Sequence, residues 1–165
     1  MEYYRVTQNR KLRNQIIPEI PGSDKLHSKE AIFIAGRCKD ADRVVFPPMI
    51  ETQPLLLADG VKKIWDAYQI GGDYQPCALG HIEQKRIEVY LRAKLMQIDG
   101  LSDLTEYYLD RSLKKIVLSA RRVRNKKVFS ICYQRKEYYF IDLEILEQMF
   151  QNHIYGFQFE KITHD

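Results

Sequence analysis

Apolar and polar positions alternate most clearly in the last quarter of the chain. In residues 128–133, Phe129, Ile131 and Tyr133 alternate with Val128, Ser130 and Cys132, the period of two expected of a β-strand. Residues 138–141 form a second such run after a polar stretch at 134–137, so the two predict a hairpin. The period then lengthens. Leu146, Met149 and Phe150 make one stripe of a helix predicted over residues 143–152, and Asp142 suits its N-cap. Gly156 closes the following turn, and residues 157–162 predict a last strand.

A second helix is predicted from Asp59, because Val61, Ile64, Trp65 and Tyr68 fall at i, i+3, i+4 and i+7. Asp59 is its expected N-cap, and Gly71 with Gly72 its expected stop. Short apolar runs predict strands at residues 3–6, 31–35, 44–46 and 113–118. Residues 81–91 suggest a strand pair turning near residues 84–86. Residues 7–30, broken by Pro18, Pro21 and Gly22, predict loop. The pattern points to one α+β domain over residues 1–165, with a mostly antiparallel sheet and two or more packed helices. Its N-terminal part, to about residue 45, is expected to be loop-rich, and its C-terminal part strand–helix–strand.

Composition narrows the class. The 165 residues are 45% hydrophobic and 29% charged, the balance of a soluble globular protein large enough to fold without a metal or disulfide. Cys38, Cys77 and Cys132 are odd in number and far apart, which predicts reduced thiols. Residues 1–5 lack the start of a secretory leader, and no apolar run approaches the length of a membrane span. A cytoplasmic protein with no membrane association is expected.

The net charge of +4 is unevenly spread. Residues 111–136 hold ten basic residues and no acidic one, whereas residues 137–165 hold six acidic and one basic. Such a block creates a local field that attracts an acidic partner or a phosphate backbone.

Candidate chemistry is sparse. His27, His81, His153 and His164 lie at no metal-ligand spacing from one another or from a cysteine, so no metal or cofactor is expected. Cys77, after Pro76, is the cysteine expected in a loop, and a nucleophile there would need His81 as its base. Gly71, Gly72 and Asp73 lack the lysine and hydroxyl residue of a phosphate loop and read better as a helix terminus. Asp99, Asp103, Glu106 and Asp110 would line one face if helical, as acid/base groups do, but more often form a solvated edge.

The basic turn carries more weight. Arg121, Arg122, Arg124, Lys126 and Lys127 lie between two predicted strands, and Tyr107 and Tyr108 are candidate aromatic anchors. These cations suit a protein contact. With Phe129 and Tyr133 nearby they also suit single-stranded nucleic acid, though less well, and an ordinary solvated turn guarding a strand edge is the plainest reading.

Three stretches resemble the immunity protein 11 family of bacterial polymorphic-toxin systems. The first is residues 54–65 (PLLLADGVKKIW), similar to a segment in which an apolar strand leads into a short helix. The second is residues 98–107 (IDGLSDLTEY), similar to an acidic linker. The third runs through residues 113–118 (LKKIVL), 127–131 (KVFSI), 140–147 (FIDLEILE) and 155–162 (YGFQFEKI). The likeness covers about two-thirds of the chain and rests on apolar patterns; residues 1–45 lie outside it, and the arginine-rich turn departs from it. The resemblance implies a protein made beside a toxin, binding that cognate toxin and blocking it, with no catalytic residue and no cofactor.

Overall fold

Residues 1–20 and 30–165 are described by a computed structural model. In chain order they form β1 (Tyr3–Gln8), β2 (Ile17–Pro18), β3 (Ile32–Arg37), a short 3-10 turn (Ala41–Arg43), β4 (Met49–Ile50), β5 (Leu55–Ala58), α1 (Asp59–Ala67), β6 (Gly72–His81) and β7 (Arg86–Leu95). There follow β8 (Glu106–Tyr107), β9 (Leu113–Lys115), β10 (Val117–Leu118), α2 (Ala120–Val123), β11 (Val128–Tyr133), β12 (Lys136–Asp142), α3 (Leu143–Gln151) and β13 (Phe157–His164). Strands dominate, and three helices accompany them among the described residues.

The strands make a five-stranded sheet in the order β10-β13-β1-β12-β11, a six-stranded sheet in the order β2-β3-β6-β7-β5-β4, and a separate β8-β9 ribbon. Most pairs are antiparallel, but β3 pairs with β6 and β10 with β13 in parallel, so both large sheets are mixed. One core joins them. It holds Val6, Val128 and Ile141 from the first sheet, Leu55, Leu57 and Ala93 from the second, Val61 and Trp65 from α1, and Ile145 and Met149 from α3.

Each sheet also buries its other face. Leu56 points away from Leu55 and Leu57 into a cluster with Ile34, Leu79 and Tyr90. The unbroken leucine run is thus a strand buried on both sides. On the five-stranded sheet, Phe129 and Phe140 stack at 5.3 Å in a third cluster with Tyr3, Leu118 and Ile162.

Both long helices lie close to where periodicity puts them. Asp142 caps α3, its carboxylate accepting the Ile145 N–H at 2.9 Å. At α1 the cap differs from expectation. The N-cap is Ala58, with no side-chain cap bond, and Asp59 is the first helical residue, paired with Lys63 at 2.7 Å. Nor do the glycines stop α1: Gln69 takes the positive φ of 55° after the C-cap Tyr68, and Gly72 already opens β6.

Several expected strands change. Residues 44–46 make only an isolated bridge, Val45 to Gln15, since the 3-10 turn and Pro47 leave no room for a ladder. The run 113–118 divides at Ile116, β9 pairing with β8 and β10 with β13. Part of the expected loop at 7–30 is strand: β1 continues to Gln8, and β2 pairs with β3. Residues 21–29 of that stretch lie outside the described residues.

The largest departure is β6, a ten-residue strand containing Gly72, Pro76 and Gly80. Proline is tolerated because pairing with β3 begins only at Cys77, so Pro76 interrupts no ladder on that side. Gly80 leaves room for the ring of Phe33, since a Cβ there would sit 2.8 Å from Phe33 Cε2.

Candidate functional site

The ten cations of residues 111–136 do not form one surface. Lys127 immediately precedes β11, and Lys136 pairs with its last residue, Tyr133. Five strand steps, about 17 Å, lie between Val128 and Tyr133. Arg121, Arg122, Arg124, Lys126 and Lys127 therefore sit at one end of the strand, and Lys114, Lys115 and Lys136 gather at the other.

At the first end, two of the five are engaged in holding the fold. Arg122 lies 3.2 Å from Asp99 and donates to the Leu101 carbonyl at 3.1 Å. Lys127 bonds Glu144 and Asp142 and lies over the Tyr68 ring at 5.2 Å; the Glu144 bond raises its pKa further above the ordinary lysine value. Arg121, Arg124 and Lys126 make no ion pair among the described residues.

Tyr107 and Tyr108 are exposed but do not accompany these arginines. Tyr107 sits 5.5 Å from Tyr133, at the far end of β11. Here the second cationic group lines a groove of about 430 Å³ with Arg5 of β1 and Lys161 of β13, residues remote in sequence. Its centre is Tyr138. The Arg5 guanidinium lies over that ring at 5.0 Å and the Lys136 ammonium at 5.2 Å. Arg5 Nε is buried and has no hydrogen-bond partner among the described residues. A larger groove of about 740 Å³ lies along the loop after β1, where Arg10, Lys11, Arg13 and Lys39 face Glu51. Arg10 reaches Glu51 at 3.8 Å.

An apolar surface is the feature the sequence pattern did not reveal. Register partners share a face, so Phe33, Ala78 and Val89 form one row across three strands, and Ala35, Gly80 and Ile87 the next. The face is continuous with the core contributed by Leu57 and Ala93, but it runs on past the helices. Phe33, Ile87 and Val89 are 53%, 61% and 57% exposed. Ile17, also exposed, continues it on β2, where its register partner Arg37 is the one charged residue of these positions. The legible part of the signal was the alternation of Ile87 and Val89 with Glu88 and Tyr90.

The edge beside this face is also open. β5 pairs with β7 only as far as Tyr90, opposite Ala58, before the chain turns into α1. Among the described residues, Arg86, Ile87, Glu88 and Val89 consequently pair on one side only, with β6.

The other candidate chemistries are not assembled. Cys77 is not in a loop but in β6, 2% exposed, and burial pushes its thiol up to about 11. His81 lies on the same strand about 13 Å further along, and its Nδ1 accepts the Gln84 N–H at 3.3 Å. The acidic series at residues 99–110 is not helical: Asp99 pairs with Arg122, Glu106 with Lys114 at 3.3 Å, and Asp110 accepts from Ser112. His27 lies outside the described residues. Among the described residues no group of three or more His, Cys, Asp or Glu side chains is placed to hold a metal, and no helix is long and apolar enough to cross a membrane.

Comparison with protein-family profiles returns no match, and comparison with curated proteins returns none either.

Proposed function

We propose that this chain is a non-enzymatic inhibitor of a cognate toxin protein, acting in the cytoplasm of the producing cell as immunity-type proteins do. The observation that carries the reading is the exposed apolar face of β3, β6 and β7 lying against the open edge of β7. Apolar patches of this kind mark protein contacts. An open strand edge offers backbone N–H and C=O groups that only another polypeptide strand pairs in series. The two features side by side therefore favour a polypeptide occupant over a nucleic acid or a small molecule.

Inhibition would then be occlusion. A toxin segment seated over Phe33, Ile87 and Val89 loses access to its own target, and the free cations Arg121, Arg124 and Lys126 speed encounter with an acidic toxin surface. The resemblance of residues 54–65, 98–107 and 113–162 to immunity proteins supports the same reading.

The test is a nuclease-treated pull-down from the native host, followed by co-expression. One large protein should be retained, its C-terminal domain should arrest growth when expressed alone, and this chain should restore growth. Retention that survives Ile87→Glu and Val89→Glu together, or a retained protein without toxicity, overturns the proposal.

A further inference from the structure

The groove around Tyr138 is a second surface, separate from the apolar face of the six-stranded sheet and independent of the toxin reading. Its cations come from three elements: Arg5 from β1, Lys114 and Lys115 from β9 and Lys136 from β12. Like charges repel, so convergence of this kind raises the energy of the empty protein and is relieved by an anion. Part of the charge is met internally. Glu106 lies 3.3 Å from Lys114 and 4.0 Å from Lys115, whereas Lys161 shares the opposite sheet face with Tyr4 and bonds Glu2 there. Arg5 and Lys136 have no such partner among the described residues. Glu160 stands directly opposite Arg5 in register, yet no ion pair joins them.

Arg5 is the central group. Its guanidinium carbon lies over the Tyr138 ring, 5.0 Å from the ring centre, and its Nε is buried without an acceptor. A guanidinium with no carboxylate partner matches an incoming carboxylate. Lys136 over the same ring adds a point charge beside it.

We infer that this groove binds a carboxylate-rich extended peptide segment, with Arg5 and Lys136 as the central contacts. The alternative polyanion, single-stranded nucleic acid, fits less well for two reasons. Its binding draws on free aromatic faces, whereas Tyr138 already carries two cations and Tyr107 is packed on Tyr133. Its backbone also carries a charge at every nucleotide, which Glu160 and Glu106 beside the path would oppose. A peptide can place an uncharged residue at those points.

The experiment is fluorescence anisotropy of a labelled peptide that alternates glutamate with glycine, titrated with the purified chain, beside a labelled single-stranded oligonucleotide. Arg5→Gln and Lys136→Gln should each weaken peptide binding by about tenfold, the loss of one charge-assisted hydrogen bond. Glu160→Gln should tighten it. Arg121→Gln with Arg124→Gln should leave it within about twofold, because neither residue lines the groove and exposed charges are weakened by salt screening. Lys136 is exposed, so its substitution tests the groove even if Arg5→Gln impairs folding. Absence of peptide binding overturns the inference. So does equal weakening by the Arg121 and Arg124 changes, which would mean unspecific attraction, or tighter binding of the oligonucleotide than of the peptide. None of these outcomes bears on the toxin pull-down, which reads the other surface.

Discussion

Lys127 and Asp142 hold each other at two points: the Asp142 backbone N–H donates to the Lys127 carbonyl at 2.8 Å, and the Lys127 ammonium lies 3.5 Å from Asp142 Oδ2. The other carboxylate oxygen caps α3 through the Ile145 N–H. Burial raises the Asp142 carboxyl above its ordinary value, although the Ile145 N–H and Lys127 both pull it down. Asp142→Ala removes cap and partner together and should cost about 1–2 kcal/mol. Asp142→Asn keeps an acceptor for the cap and should cost less. Urea unfolding of the two variants measures the difference.

The same pair separates the cations of the basic turn into two kinds. Lys127→Ala should destabilise the fold measurably, since Asp142 is then left buried without its ammonium. Arg121→Ala and Arg124→Ala are exposed substitutions without ion pairs to lose and should stay within about 0.5 kcal/mol of the parent. Thermal melts of the three single variants suffice, and equal effects would remove the distinction.

Cys77 predicts an alkaline limit to stability. Its thiol ionises at about 11 in the fold, against 9.0 ordinarily, because burial penalises the thiolate. The unfolded chain therefore loses this proton first. The stability so contributed is complete below pH 9 and is lost as pH rises towards 11. Tyr74, pushed up to about 12 from 10.0 by burial, extends the decline. Cys77→Ala should flatten the curve of unfolding free energy against pH in the first of these windows. In the native protein a thiol alkylating reagent should label exposed Cys132 well before Cys77.

On the apolar face, Ile87→Glu and Val89→Glu replace exposed side chains, so melting temperature should change little while partner capture is lost. Phe33→Ala should behave likewise. A large fall in melting temperature for any of the three would show that the face is covered within the folded monomer and is not free for a partner.

Much of the architecture was legible locally. The α3 stripe with its Asp142 cap and the α1 stripe are read from side-chain period, because each helix buries one face, and the β11–β12 hairpin is read from two apolar runs around a polar turn, its strands being buried on both faces. Even there the turn was not announced. Gln134 and Arg135 both adopt positive φ, 48° and 63°, a conformation usually signalled by Asn or Gly. The β6 strand was illegible for a different reason: Gly72, Pro76 and Gly80 oppose strand propensity, and only neighbours on both sides stabilise it.

The order of apolar and polar residues sets the type of most elements, and composition sets the cationic excess. Where the charges and apolar faces end up was decided by tertiary structure. Strand β11 carries one half of the basic block away from the other, and the sheet order brings Arg5 and Lys136 to one tyrosine ring. The end of β5 at Ala58 leaves the Ile87–Val89 edge open. Period encodes which side of an element faces inward, but which distant strand lies beside it follows from burying the whole chain at once.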